Sequence, residues 1–528
     1  MECDKNKTQA YLVGGGIASL SSAVYLIHDG HIPGENIHVL EESKLLGGSL
    51  DAAELSSRKG YTMRGFRMFE EKVYSCMYEL FSHIPSVRDP KRTLRDELFM
   101  FDKKIKIHAK VRLIKNGKAI NARKFGLTLR DRAALLKLLT RYESSLGRLR
   151  IDEYFSPSFF RSNFYYEFGT TFSFQPWSSL AEFRRYVLRF LHDSPMLDTL
   201  DPIRSTKYNQ YESMIIPIVE WLKKHGVNFI MQAKVIDLDF LPMKAKKTVT
   251  YIKYSLQGKK RKIRVRESDL VFVTLGSMTA DSSLGSMTTA PQALHKPSTA
   301  WDLWKNISKK HSDFGNPSNF CENIEKSKWV SFTITHKTPT FFRLMKKLTG
   351  KKAGTDGHIT LIDSNWLITI GLPNQPHFID QPSDITVSWG YGLFPNEKGN
   401  YINKKMAECT GEEIMTEILT HLKFNKYTKS IIETSICIPN LMPYITSHFL
   451  PRDAHDRPLV IPNGSTNLAL IGQYCEIPED IAFTVEYSIR SAQTAVYKLL
   501  NIDKKLPPIY KGQYEIKVMR SVLKTVFR

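Results

Sequence analysis

The sequence predicts an α/β fold: a Rossmann-like dinucleotide domain, discontinuous in sequence, with additional mixed α+β and helical parts. Three observations carry the prediction. A short apolar run, residues 10–13, meets the glycine turn Gly14-Gly15-Gly16. An acidic residue, Glu41, closes a second apolar run at about 20 residues past the turn, the spacing such domains use. Two later apolar runs also end on glycine, at Gly276 and at Gly472.

Each element follows in order. Residues 10–13 read as the first strand. The turn needs glycine because backbone must approach a pyrophosphate closely, and Gly14 and Gly16 supply the first two of the fingerprint. Ser19 takes the third place, where a small residue allows close helix–strand packing. Ile17 and Ala18 open a helix that continues through Leu20, Ala23, Val24 and Leu26. Its free N–H groups and positive dipole end favour phosphate. Ile37 to Leu40 is the second strand, and Glu41, with Glu42 beside it, is placed to accept hydrogen bonds from ribose hydroxyls. Gly48 and Ser49 bring backbone near the phosphates again. Thr274, Gly276 and Ser277 resemble the second strand-turn signature of two-dinucleotide flavoproteins, and Gly472 brings backbone to the flavin end. The cofactor expected is therefore FAD.

Between these landmarks, residues 130–149 have a charged helical pattern, and the aromatic run 155–174 leads into Gln175-Pro176-Trp177. Helices are expected over 179–192 and 211–225, the latter stopped by Gly226. Strands are expected at 227–230 and 269–273, separated by the basic stretch 259–262. Residues 281–319 turn to Ser, Thr, Pro and Gly, the composition of a linker or long loop. A strand at 468–471 and a helix over 482–500 return the chain to the dinucleotide domain. That domain is read as 1–130, 206–290 and 453–510, with 131–205 a helical, aromatic substrate-facing part and 291–452 a substrate-binding domain. No internal repeat is evident.

The 528 residues carry 75 Lys and Arg against 53 Asp and Glu, a formal charge of +22. Such an excess favours polyanions, or serves solubility alone. Nucleic-acid modules are not visible, so no nucleic-acid partner is expected and an anionic membrane surface is the more specific reading. The six cysteines, Cys3, Cys76, Cys321, Cys409, Cys437 and Cys475, contain no CxxC pair. Zinc spacing and a disulfide framework are not expected, and a reduced, cytoplasmic setting is. The polar N-terminus is not a signal peptide, and no uncharged apolar run has the length of a membrane span. Residues 511–528 form a basic amphipathic segment, with Lys511, Lys517, Arg520, Lys524 and Arg528 among apolar residues. It suits either the inner face of a membrane or the protein's own core. Monomer and homodimer both remain open.

Six ordered stretches then carry a resemblance: 14–51, 64–80, 172–186, 208–213, 276–283 and 471–493. Over nearly its whole length the chain resembles the oleate hydratases, once called myosin-cross-reactive antigens. The resemblance implies an FAD-requiring hydro-lyase that adds water across the cis double bond of an unsaturated free fatty acid, without net redox. Hydration needs an acid near one carbon and a positioned water near the other. By resemblance the acid falls on Tyr186, in Glu182-Phe183-Arg184-Arg185-Tyr186. The water-activating carboxylate of the family falls on Met68, in Arg64-Gly65-Phe66-Arg67-Met68, and a thioether cannot serve as a base. Glu70 and Glu71 follow closely, and either reaches the site or lies on a solvated face. Arg64, Gly65, Phe66 and Arg67 suit a phosphate- or flavin-contacting loop. For the fatty-acid head group, Gln210 and His377 match the family, whereas its Thr and Asn positions read Gly371 and Pro373, leaving Asn374 to compensate. Two rival classes stand beside this one: an FAD-dependent oxidoreductase acting on a lipid or amine, and a non-catalytic fatty-acid-binding flavoprotein.

Overall fold

Short apolar strands with no polar alternation must be buried on both faces, and they form a parallel sheet. Ala10–Val13 pairs in parallel with Ile37–Glu41 on one side and Leu270–Thr274 on the other. Leu468–Ile471 extends the sheet beyond Leu270–Thr274, and Asn228–Met231 extends it beyond Ile37–Glu41. The computed structural model describes residues 5–56, 60–242, 246–294 and 298–527. Cys3 and Arg528 lie outside the described residues, as do 295–297 of the Ser/Thr-rich stretch.

Helices Ile17–His28 and Val485–Leu499 cover one face of this sheet, burying Leu20, Val24, Tyr487 and Ile489. The other face packs Val13, Leu40, Val271 and Val273 against an antiparallel layer of Ala233–Phe240, Val249–Leu256 and Lys259–Arg264. The basic stretch that separates two strands in the sequence reading is thus itself a strand, at the edge of its sheet, with its charges in solvent. Lysines on such an edge also discourage pairing with other chains.

Residues 281–319 are not the linker that their composition suggests. Trp301 and Trp304 are fully buried in the same core, on the turn Thr299–Trp301 and the helix Asp302–Ser308. Two large aromatic anchors outweigh a run of loop-forming residues, because each buries far more apolar area than Ser or Thr.

A second, eight-stranded sheet is mostly antiparallel. Its centre is Trp329–His336, paired with Ser435–Met442 and Thr386–Gly392; Ser283–Leu284 closes the edge beyond Ser435–Met442, and Ile368–Gly371, His358–Leu361, Leu113–Lys115 and Lys118–Ile120 follow outward on the other side. Helices Thr340–Thr349 and Gly411–His421 pack on one face. The opposite face presents Val387, Trp389 and Tyr391 to an apolar cluster that also takes in Phe66, Tyr211 and Phe483. A third, helical layer holds Leu129–Thr140, Asn163–Phe172, Leu180–Arg189 and the C-terminal helix Ile516–Val526.

Candidate active site

The glycine turn opens a cavity of about 480 Å³ at the carboxyl ends of the parallel strands. Gly14, Gly16, Ile17, Ala18, Glu41, Glu42, Gly48, Ser49, Arg64, Thr274, Gly276, Ser277 and Gly472 all line it. Side chains are excluded for identifiable reasons. Gly14 has φ +94°, and a Cβ there would stand 3.2 Å from Thr274 Cβ. Gly472 also has φ +94°. Nothing lies within 4 Å of where a Cβ on Gly16 would sit, so that position opens into the cavity. Gly16 caps the helix Ile17–His28 without a side-chain hydrogen bond, which leaves the first N–H groups for a ligand. Glu41 orders the turn: its Oε2 accepts from Gly15 N–H at 2.5 Å and its Oε1 from Ser43 N–H at 2.7 Å. Glu42 pairs with Lys234 at 2.9 Å. Ser19 stands behind the turn, its Oγ 3.1 Å from Thr274 Oγ1. Arg64 pairs with Asp51, another lining residue. A cavity of this volume, with a bare helix N-terminus in its wall, fits a dinucleotide.

Tyr186 lies in an aromatic enclosure formed by Phe172, Phe174 and Phe449, with ring centroids 5.0, 5.0 and 5.5 Å away. Its hydroxyl donates to the Ala482 carbonyl. The next residue, Phe483, holds φ +74°, unusual for a bulky side chain, and its N–H donates to Gln473 of the cavity wall. Tyr186 is therefore held one residue from Phe483, which is bonded to the cavity wall. Burial raises its pKa well above 10, and neighbouring Tyr74, Glu182 and Asp480 push the same way.

The helix Leu180–Arg189 that carries Tyr186 begins at Ser179, whose hydroxyl caps Glu182 N–H. Its residues 182, 185 and 189 share the face of 186, at helical spacing. Glu182 meets Arg452 at 2.9 Å and Arg457 at 3.0 Å; Arg185 meets Glu143 at 2.6 Å and Glu476 at 2.7 Å; Arg189 meets Asp480 at 3.1 Å. Burial opposes ionisation of Glu182, yet Arg457, Arg452 and Arg185 together hold its pKa down at about 2. These buried pairs fix the tyrosine against the returning segment 452–490.

The loop after Arg64 divides its residues between neighbouring sites. Arg67 lies 5.4 Å over the Phe483 ring, and burial lowers its pKa, the phenols of Tyr74 and Tyr186 facing it. Phe66 stands between two imidazoles, 5.5 Å from His358 and 6.2 Å from His377. A Cβ on Gly65 would meet the Arg67 guanidinium at 3.1 Å. Gln210 holds this loop rather than reaching past it: its amide donates to Gly65 carbonyl at 2.9 Å and accepts from Arg67 N–H at 2.9 Å. His377 is fully buried with neither ring nitrogen partnered. Asn374 is half-buried, its backbone against Gly354.

Neither carboxylate that follows the loop is directed to Tyr186. Glu70 accepts from Val73 N–H at 2.7 Å and lies 3.4 Å from His192 Nε2; Glu71 pairs with Arg204 at 2.6 Å. Met68 packs on Ile107, Leu200 and Ile203, a satellite apolar cluster. Sequence reasoning missed His448, buried with both ring nitrogens unpartnered and stacked 4.7 Å from Phe483. No local spacing marks it.

With this geometry in view, the profile of the MCRA family matches residues 7–497. The chain belongs to the MCRA family. An oleate hydratase of Streptococcus pyogenes serotype M49 (strain NZ131) is 39% identical over 536 residues, covering 99% of this chain and 90% of that protein. A linoleate hydratase of Lactiplantibacillus plantarum is 32% identical over 539 residues, covering 94% of each. Among solved structures, cyclohexylamine oxidase from Brevibacterium oxydans IH-35A has TM-score 0.53 at 12% identity, over 94% of this MCRA chain and 99% of the oxidase. Putrescine oxidase bound to putrescine has TM-score 0.52 at 11% identity, over 94% and 99%. At that identity the likeness concerns the fold alone, the α/β dinucleotide fold read from the sequence. The MCRA chain has no helix, among the described residues, long and apolar enough to cross a membrane.

Proposed function

We propose that this MCRA protein is an FAD-dependent hydratase, adding water across a cis double bond of an unsaturated free fatty acid to give a hydroxy fatty acid. Whole-chain similarity to two fatty-acid hydratases carries the reading. FAD would be held in the cavity between the glycine turn and Gly472, where the N-terminus of Ile17–His28 offers free N–H groups and Glu41 a carboxylate. When bound, the flavin would contribute no net electrons, because hydration is redox-neutral.

The residues then divide the chemistry. Tyr186 keeps its proton at all ordinary pH and delivers it to one alkene carbon. Arg67, facing that phenol, stabilises the phenolate left behind. Water adds to the other carbon, and the protonated alcohol so formed is a strong acid, so a weak base can take its proton. His448 suits that role: burial keeps its imidazole neutral, and Arg67 is among its charged neighbours. Returning that proton to Tyr186 completes the cycle. Met68, Glu70 and Glu71 take no part in this scheme.

The acyl chain lies along the apolar cluster of Trp329, Trp389, Tyr391 and Phe483. A smaller apolar pocket of about 50 Å³ lies beside Tyr186, walled by Phe172 and Phe190 and by Val522 and Val526 of the C-terminal helix. That helix buries Val522 and Val526 yet leaves Ile516 71% and Phe527 53% exposed, so it docks on the core and still offers a basic, apolar face to an anionic membrane. Peripheral attachment of a cytoplasmic enzyme follows from this reading.

Mass spectrometry of oleate incubated with the FAD-loaded protein tests it. The product should gain one water, and in heavy water a deuterium beside the hydroxylated carbon. Tyr186→Phe should bind substrate and lose about 10²-fold or more in turnover. Loss of two hydrogens would instead mean an oxidoreductase; an unchanged fatty acid would mean a binding protein.

A further inference from the structure

Three ionisable side chains with no part in the hydration chemistry meet where the chain beyond Arg67 passes the end of the tyrosine-bearing helix. Glu70 ends the short strand Phe69–Glu70, which pairs with Ile203–Arg204. His192 and Asp193 lie side by side on the tight helical turn Leu191–Met196, just past Leu180–Arg189. The side chains of Glu70, His192 and Asp193 are 5, 8 and 14% exposed. Their ligand atoms all lie within 4.8 Å of one another, and among the described residues no other group of three His, Cys, Asp or Glu side chains does this.

Hydrogen bonding does not account for the arrangement. Neither ring nitrogen of His192 has a partner, nor has Asp193 Oδ2 or the Ser194 hydroxyl. Buried polar groups left so are rare and costly. His192 Nε2 lies 3.4 Å from Glu70 Oε1 and 3.3 Å from Asp193 Oδ1. Those separations are long for N–H···O bonds. They match the spacing of ligands around a metal ion, because bonds of about 2.1 Å at tetrahedral angles set neighbouring ligand atoms roughly 3.4 Å apart. The other Glu70 oxygen is committed: it accepts from Val73 N–H at 2.7 Å and holds the carboxylate with Oε1 toward the imidazole.

The charges agree with the geometry. Burial, reinforced by Glu70 and opposed by His192, pushes the Asp193 carboxyl up to about 7. A divalent ion would offset that cost by supplying positive charge between the two carboxylates. Two cations nearby are engaged elsewhere. Lys72 lies 4.9 Å over the Tyr510 ring, and Arg189, which reaches the Val73 carbonyl, pairs with Asp480 at 3.1 Å. Another imidazole cluster is already satisfied: His28 stacks 3.8 Å from His83, and Lys504 bridges their carboxylate partners Asp29 and Glu79 at 3.1 and 3.5 Å.

We infer that Glu70, His192 and Asp193 form a divalent-metal site that ties the arginine loop to the helix bearing Tyr186. One imidazole and two carboxylates suit zinc, with a fourth position for water. The ion's role is to brace: Glu70 follows Arg67 closely and His192 follows Tyr186, so one ion fixes both backbone segments. Tyr510, its ring 4.6 Å from that of His192, brings the C-terminal segment against the same cluster. The site is independent of the fatty-acid reading.

The experiment strips the full chain with a chelator and titrates it with Zn²⁺. The wild type should bind one Zn²⁺ per chain, more tightly than Mg²⁺, and its melting temperature should rise on saturation. Co²⁺ in its place should absorb in the visible as a tetrahedral site does. His192→Ala should weaken Zn²⁺ binding by about a hundredfold or more. Asp193→Asn, nearly isosteric, should weaken it by about tenfold or more, since even groups that only orient a metal ligand are worth ten- to hundredfold in affinity. His83→Ala should leave binding unchanged. Full-strength binding by a folded His192→Ala variant, or a loss on His83→Ala instead, overturns the site, and so does a wild type that takes up no Zn²⁺. Where His192→Ala fails to fold, unchanged affinity in Asp193→Asn is enough to reject it.

Discussion

Glu167 sits on the helix Asn163–Phe172 with neither carboxylate oxygen partnered. Burial pushes its pKa up to about 8; Arg112 opposes the shift and Asp198 adds to it. The folded protein thus holds a proton that the unfolded chain releases near pH 4.5. The stability from that proton is complete below the unfolded value and is lost as pH rises through about 8. Glu167→Gln should therefore gain on the wild type between pH 5 and pH 8, by on the order of a few degrees in melting temperature. Parallel melting curves at both pH values would refute the shift. At this scale the sequence was legible only where one residue type is mandatory. Gly14 and Gly472 declare themselves because φ +94° excludes most side chains. His448 does not, because its place beside Phe483 is set by packing between distant segments that no local pattern encodes.

Elements were legible where their ends were chemically marked. The helix Leu180–Arg189 starts at a capping serine, and Val485–Leu499 starts at Thr484, whose hydroxyl accepts from Tyr487 N–H. The strands 233–240 and 249–256 went unread because their alternation is broken by register shifts. The C-terminal helix buries one face and leaves the other in solvent, and a measurement can separate the two readings of its sequence. Binding to anionic vesicles should weaken as salt is raised, and truncation before Lys511 should reduce it. Equal binding to neutral vesicles would remove the electrostatic term. Melting of the truncated chain reports the docked face, since Val522 and Val526 leave the core with the segment.

At the scale of the molecule, the cavity joins strands from both ends of the chain, so a ligand there should hold the whole fold together. Saturating FAD at about 100 Kd should stabilise the native state by roughly 2.7 kcal/mol. Glu41→Ala releases Gly15 and Ser43 and should shrink the FAD-induced rise in melting temperature. A full rise in that variant would separate Glu41 from the nucleotide. The fold class was readable because a parallel sheet repeats one signal, an apolar run ending in glycine. The second sheet repeats none, and its fully buried strands carry Ser, Thr and His beside apolar residues.

The same parallel sheet sets an order of events on the ribosome. Ala10–Val13 emerges before both of its neighbours, Ile37–Glu41 and Leu270–Thr274, and its helix Ile17–His28 packs on Val485–Leu499. A helix made early is thus covered by one made much later. Synthesis proceeds with the apolar face of that first helix uncovered, a surface that chaperones recognise and that invites aggregation. A nascent chain interrupted before residue 485 lacks the helix that covers Ile17–His28, and the strand Leu468–Ile471 is left without its own cover.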